Sequence, residues 1–381
     1  MRKPFYYLLI TNILLSSCAS NLKNDDVSNM GEISNYLSEI SENKKISFQI
    51  TLNKPLPSIK NANQVYTFDN SLKDDVAYFY ELNHHDVIKV NIQTGQNIGN
   101  ISFSNLPENA ILKYVYLDDD LNIWYADTML YVYNNQGEFI KNIHLSLNHL
   151  GKDYVINSHH HTPIQYFKNS NTLIIPINCI SEYEANEAHA LPQFAAYNLI
   201  SEELAFLPIY LPNNYPADKN LGDLSSPYTA KEDNTFYAIF PLSNQLYAYD
   251  VISKSLQIIP LQLPVALTNA NMLEEPTTLT NMANLKYYTN HLAGMAVING
   301  KIFIQQTDVF NQELASKKYI DNTVLYVFNE QGQLLSSNAF QAEIFDEIGV
   351  FELNFANNDN LVFTSFNRNN DKKIIQLKPQ L

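Results

Sequence analysis

LNIWYADTMLYVYNNQGEFIKNIHLSL, residues 121–147, decides the fold. It divides into three short strands: Leu121–Ala126, Met129–Tyr133 and Glu138–Leu145. Asp127 and Thr128 separate the first pair, and Asn134-Asn135-Gln136-Gly137 make a tight turn before the third. Tyr, Val, Ile and Trp fill the strands while polar residues and Gly fill the breaks, which is the signature of consecutive hairpins.

Variants of the unit recur. A polar residue that ends a hydrophobic strand and opens a turn is found at Asn91 in KVNIQTG, Asn134 in VYNNQG, Asn198 in AYNLISE, Asp250 in AYDVISK and Asn329 in VFNEQG. A weaker match falls at Gln376 in KIIQL. Successive anchors lie 43, 64, 52, 79 and 47 residues apart, so the unit persists while its insertions vary. A hydrophobic strand precedes each anchor strand: Val76–Leu82, Leu121–Ala126, Thr172–Ile177, Thr235–Phe240, Lys301–Gln305 and Leu361–Phe366. A further strand comes before each of these across a polar turn, such as Asp118-Asp119-Asp120, Asn169-Ser170-Asn171, Asn299-Gly300 or Asn357-Asn358-Asp359.

Each unit thus has an inner strand A, then B, then C with the anchor, then D. Four-stranded antiparallel units repeated radially make a β-propeller. Residues 46–381 hold six, at 56 residues each. Too little chain follows Gln376 for a sixth D strand, whereas Ile46–Leu52 precedes the first A strand without a partner. The expectation is an all-β, six-bladed β-propeller closed by that N-terminal strand pairing with Lys372–Leu377, which removes the exposed sheet edges. A β-sandwich pair, the alternative, leaves six similar units with a spare leading strand unexplained.

Arg2 and Lys3 precede an apolar run from Phe5 to Leu15, the layout of a secretory signal peptide over residues 1–17. The run is shorter than the roughly 20 residues of a membrane span. It ends in Leu15-Ser16-Ser17-Cys18, which resembles the bacterial lipobox, with Cys18 as the lipidated residue. Residues 18–45 are polar and read as a tether, with Met30, Ile33, Leu37 and Ile40 in the register of a short helix. The partner implied is a membrane, through lipid, and the location is the cell envelope, at the outer membrane.

With this lipobox, tether and ring of blades, the chain resembles a family of lipid-anchored six-bladed β-propellers of Gram-negative bacteria classed as a domain of unknown function. That resemblance implies an envelope protein and assigns no catalytic residues.

The chain carries a net charge of −15, two units more negative once Arg2 and Lys3 are gone, which opposes binding of nucleic acid. Its two cysteines, Cys18 and Cys179, allow no disulfide framework or Cys-based zinc site. The sequence has no GxSxG, HExxH or EF-hand motif, and its 10 glycines leave little material for a phosphate loop. Asp118-Asp119-Asp120 reads as a hairpin turn, and Trp124, the one tryptophan, as packing between blades.

In a propeller, loops between blades and B–C loops share one face, around the channel mouth. Six of the nine histidines map there: His84 and His85 in blade one, His159, His160 and His161 between blades two and three, and His189 in blade three. Imidazoles serve as metal ligands, general bases or ordinary loop residues. Arg368, the one arginine left after signal removal, offers a planar fork for carboxylate or phosphate, or is a solvated turn residue. His84, His85, the 159–161 run and Arg368 are the candidate ligand-binding residues, a basic spot that would draw anions.

Three functions stay open. The first is a non-catalytic envelope propeller binding a small molecule, glycan or protein at the channel mouth. The second is a metal-dependent hydrolase or lyase of the lactonase-like propeller type, its cofactor unknown with calcium as one candidate, using the histidines, Asp86, Asp127 and Glu182. The third is a scaffold subunit of an envelope complex. The lack of a catalytic motif favours binding over catalysis.

Overall fold

In the computed structural model, residues 46–55, 60–61, 64–73, 75–81, 86–107, 112–117, 121–159, 161–216, 219, 221–273, 289–307, 323–339, 350–357, 359–366 and 372–380 are described. The signal peptide, Cys18, the tether and its helical stripe lie outside them, as does Asp118-Asp119-Asp120. Among the described residues no helix is long and apolar enough to cross a membrane.

The described residues form six antiparallel sheets; five are built in the order of the chain from the inside outward, and the sixth takes its outer strand from the start of the chain. Blade one has Gln64–Lys73, Val76–Glu81, Asp86–Asn91 and Gln96–Ser102, with the short strand Lys60–Asn61 on its inner edge. Blade two has Lys113–Leu117, Leu121–Ala126, Met129–Asn134 and Phe139–His144, so the stretch that opened the sequence argument is its B, C and D strands. Blade three is built around Thr172–Cys179, Phe194–Asn198 and Leu204–Phe206. Blade four has Tyr228–Glu232, Thr235–Ile239, Gln245–Asp250 and Ser255–Pro260. Blade five has His291–Ile298, Lys301–Thr307, Thr323–Phe328 and Leu334–Ala339. Blade six has Val350–Asn357, Asn360–Phe366 and Lys372–Pro379.

The outer strand of blade six is the N-terminal strand Phe48–Pro55, antiparallel to Lys372–Pro379. Phe48 pairs with Pro379, Leu52 with Gln376 and Pro55 with Lys373. The ring is therefore closed by the start of the chain, as the spare leading strand predicts. Gln376 itself is not an anchor: it is buried inside its strand, opposite Val362, and opens no turn.

The other five anchors share one physical role. Asn91 Oδ1 accepts from the backbone N–H of Gln93 and Thr94, at 3.0 and 2.9 Å. Asn134 Oδ1 accepts from Gln136 and Glu138, Asn198 from Ile200 and Ser201, Asp250 from Ile252 and Ser253, and Asn329 from Gln331 and Gln333. Each is a side chain that mimics a turn carbonyl and starts the reversal into strand D. Gln376 carries an extra methylene and a continuing strand, so it resembles the anchors only in hydrophobic context.

Apolar faces of adjacent blades interlock. Tyr78 and Val87 of blade one pack with Trp124 and Tyr133 of blade two. Ile123 and Val132 meet Tyr154 and Ile175 of blade three, whose Phe194 meets Phe236 of blade four edge-on at 4.9 Å. Phe303 and Leu325 of blade five meet Leu353 and Phe363 of blade six, and Val362 and Ile374 return to Phe79 and Ile88 of blade one. Each such buried side chain contributes about 2 kcal/mol. Trp124 is fully buried among Tyr80, Phe103 and Tyr114, the inter-blade packing expected of it.

Glycine is required where blades touch through backbone. Gly137 and Gly332 occupy the same place in the NNQG and NEQG turns, at φ of 83° and 76°. A Cβ on either would strike the backbone carbonyl that ends the preceding blade's outer strand, Ser102 for Gly137 and Pro260 for Gly332. Position and conformation both exclude a larger residue.

Candidate functional site at the channel mouth

The site originates in an interruption of blade three. The inner edge of Thr172–Cys179 is covered by two pieces: Lys152–Ile156 lies along Ile177–Cys179, and Gln165–Phe167 lies along Thr172–Ile174. Asn157 N still donates to Pro176 O at 2.8 Å, and beyond it the described residues Ser158, His159 and His161 to Ile164 lie outside the strands. Pro163 has no N–H to give a ladder and holds Thr162 extended, which explains why the edge breaks here. His159 and His161 therefore lie within blade three's own inner edge, not in a plain connection from blade two.

The excursion is held on both sides. His159 N and Thr162 O, and Thr162 N and His159 O, are paired at 3.3 and 2.9 Å, closing its tip. Ile164 N donates to Ser158 Oγ at its base. From blade two, Tyr125 donates to Ser158 O at 2.8 Å and Lys113 Nζ lies 3.5 Å from the same oxygen. Burial lowers the Lys113 pKa. Toward blade four, Thr162 Oγ1 donates to Pro227 O at 2.5 Å and Thr229 N donates to His161 O at 3.2 Å.

From this base His161 reaches the far side of the ring. Its Nε2 lies 3.5 Å from Glu352 Oε2 on the inner strand of blade six, with side chains only 14% and 12% exposed. Blades three and six, three apart in a ring of six, stand opposite each other. The His161 ring also meets Tyr228, the first residue of blade four, edge-on at 4.9 Å.

Two amides extend the network. Gln165 Nε2 donates to Thr229 Oγ1 at 3.1 Å, and Thr229 Oγ1 in turn lies 3.5 Å from His161 O. A carbonyl can only accept, so the Thr229 hydroxyl proton points there, and the Gln165 group facing Thr229 must be its NH2. Asn354 Nδ2 donates to Glu352 O at 3.2 Å and Thr364 Oγ1 at 2.8 Å, and the Glu352 carbonyl fixes that amide in the same way. Gln165 Oε1 and Asn354 Oδ1 are thereby left as buried acceptors with no hydrogen-bond donor among the described residues. Gln165 and Asn354 are each 7% exposed.

Blade five adds further buried polar groups at the start of its inner strand. His291 Nδ1 donates to Thr289 O at 2.9 Å. Gln305 Oε1 accepts from Leu353 N at 2.5 Å, tying blade five to blade six. Gln306 Nε2 donates to Val265 O at 3.2 Å. The inner strands of these two blades approach closely because Gly294 has no Cβ to strike Leu353 O.

Of the residues expected at the mouth, His159 and His161 are in the excursion, and among the described residues His161 is the one that reaches Glu352. His84, His85, His160 and Arg368 lie outside the described residues. His189 sits in the short helical turn Ala185–Ala190, where Nδ1 is 3.1 Å from Leu211 O. Asp86 opens the C strand of blade one, Asp127 turns between B and C of blade two, and the Glu182 carbonyl accepts from Lys152. Among the described residues no three His, Cys, Asp or Glu side chains converge in a way that would hold a metal ion. Cys179 ends a strand, and burial raises its thiol pKa.

Glu352, Asn354, Gln165, Thr229 and His291 were not singled out by the sequence. The available signal was polar residues at inner-strand positions, where apolar side chains are the rule.

No protein-family model matches the chain, and none of the curated proteins matches it. Among solved structures, the chain is similar to a member of the DUF4221 family from Bacteroides vulgatus, with 13% identity, a TM-score of 0.60, and coverage of 88% of this chain and 99% of that one. It is also similar to a Bacteroides fragilis protein described as exported, with 9% identity, a TM-score of 0.49, and coverage of 88% and 96%. At 13% identity the first likeness is one of fold: this chain is a six-bladed β-propeller, similar in structure to a member of a family named only as a domain of unknown function.

Proposed function

We propose that the protein is an envelope lipoprotein, held at the outer membrane through Cys18, whose propeller binds a ligand at the channel mouth. The observation that carries the binding reading is the polar network that links Gln165, Thr229, His161 and Glu352 across blades three, four and six. Polar groups buried only for stability normally satisfy one another, and groups that stay unsatisfied call for another role. Here the carbonyl oxygens of Gln165 and Asn354 are buried without a donor among the described residues, and an excursion interrupts the strand edge next to Gln165. The lipobox and the polar 18–45 stretch support the anchored placement.

The test is native mass spectrometry of the full-length protein, isolated from its own envelope in mild detergent. A bound adduct in the wild type that is absent from a Thr229→Val, Glu352→Gln double variant supports the reading. Identical spectra for the two folded proteins contradict it.

A further inference from the structure

We infer that the face of the ring formed by the C–D turns rests on the lipid bilayer, with Ile200 and Ile252 in the contact, so that the B–C loops are turned away from the membrane. This rests on the proposed anchoring through Cys18 and adds to it the side of the ring that meets the lipid.

The end of the chain that bears Cys18 enters the ring on that face. Strand C of blade six ends at Pro379, and Phe48, which starts the N-terminal strand, pairs with it. Gln380 N donates to Ser47 O at 2.9 Å. Ile46 N donates to Ser336 Oγ at 2.9 Å, in strand D of blade five close to its C–D turn. In the other five blades strand C ends at or next to its anchor, which opens the C–D turn. Ile46 therefore lies among the C–D turns, and the B–C loops lie at the opposite ends of the same strands. A bilayer against the C–D turns is on the side where the lipid-bearing end of the chain arrives. Against the B–C loops it would require the chain to pass round the rim.

The same face presents two apolar side chains that the turn does not require. Two residues after the anchor, blades one, two and five carry Gln93, Gln136 and Gln331, whose backbone N–H groups donate to the anchor Oδ1. Ile200 and Ile252 hold that position in blades three and four and make the same bond. They are 74% and 57% exposed. Leu199 packs against the core and Val251 is buried, so each turn buries one apolar residue and presents the next. One exposed apolar side chain is ordinary. Two at one turn position of neighbouring blades, on the face where the anchored end arrives, suit insertion at the boundary between headgroups and acyl chains. The A–B turns of these two blades also touch on this face, Asn169 Nδ2 lying 3.3 Å from Asn234 Oδ1.

Charge selects the lipid. Among the described residues, exposed acidic side chains on these turns, including Glu138, Glu202, Asp233 and Glu330, outnumber the exposed Lys168 and Lys254. Anionic headgroups are repelled by such a face. The contact is therefore apolar and suits zwitterionic lipid.

The experiment places one nitroxide label at a time on the full-length, acylated protein, with Cys179→Ser removing the other thiol. Ile200→Cys and Ile252→Cys report on the C–D face, and Glu182→Cys and Asn244→Cys on exposed B–C loop positions of the same blades. Each protein is reconstituted in vesicles of phosphatidylethanolamine and phosphatidylcholine. Electron paramagnetic resonance then compares collisions of the label with oxygen and with a water-soluble nickel chelate. The oxygen-to-nickel ratio at 200 and 252 is expected to exceed that at 182 and 244 by about threefold or more, at low and high salt alike. Circular dichroism establishes that each variant is folded, and Cys179→Ala replaces Cys179→Ser if the latter is not. Equal ratios, or higher ratios in the B–C loops, overturn the inference and leave the anchor standing when the protein carries acyl mass. A protein without acyl mass removes the anchor and the inference together. Labels at 200 and 252 that stay in water and are immobilised by added envelope protein assign the pair to a protein partner, which also overturns it.

Discussion

His161 Nε2 and Glu352 Oε2 lie 3.5 Å apart although they come from blades three and six, on opposite sides of the ring. No single blade can form this contact, so it reports on the whole assembly and on the placement of the excursion. His161→Ala takes a partner from a largely buried carboxylate and should lower stability by about 2 kcal/mol. Glu352→Gln keeps an acceptor at the same place and should cost less. Urea unfolding of the two variants checks the order, and an equal or reversed ranking would show that a hydrogen-bond acceptor at residue 352 is not sufficient to hold the tip.

The anchor side chains should behave as turn formers. Asn91→Ala removes the acceptor of two backbone N–H groups and should cost about 1 kcal/mol, whereas Asn91→Asp should be nearly neutral. Asp250 adds a pH signature. Its bonds from Ser253 N and Oγ, then from Ile252 N, hold its carboxyl below the usual carboxylate range against a small opposing effect of burial. A depressed folded pKa contributes stability that is present above the unfolded value of about 3.9 and is lost as pH falls through the folded one. Asp250→Asn should therefore lose less stability than wild type between about pH 4 and pH 2, read from thermal melts across that range.

Ring closure sets the value of the leading strand. Deleting residues 1–55 removes Phe48–Pro55 and exposes the edge of Lys372–Pro379, whereas deleting 1–45 leaves that pairing intact. The longer deletion should lower the melting temperature by several degrees or more and promote aggregation. Two truncations that melt together would mean the strand adds nothing to the ring.

Anchoring through Cys18 predicts a lipid-dependent location. The wild type should partition with membranes and carry the mass of attached acyl chains, while Cys18→Ser should be released or remain as an unprocessed precursor. Membrane partition of Cys18→Ser without any mass difference would remove the lipoprotein assignment.

The blades were legible because each strand is short, rich in β-branched and aromatic residues, and bounded by a turn with a chemical reason. Asn91 and Asn329 could be aligned across the chain because the same Asx turn is needed wherever C passes into D. Gln376 matched that pattern by its apolar neighbours alone, which carry no information about the turn. The centre of the ring was harder to read. Lys152–Ile156 did not stand out as an inner strand because the chain leaves the sheet after Asn157 and rejoins it at Gln165, so the histidines between resembled an ordinary link. Glu352 in VFELNF alternates like a solvent-facing strand residue, and only the opposite blade shows what it faces.

The central claim is that the polar centre of the ring, and not its outer strands, receives the ligand. Hydrogen–deuterium exchange of the full-length protein, with and without a solubilised envelope fraction, tests it most directly. The account predicts slowed exchange in residues 157–165, 227–230 and 350–355, with the outer strands Phe139–His144 and Ser255–Pro260 unchanged. Protection of those outer strands, or no change in the three central segments, would contradict it.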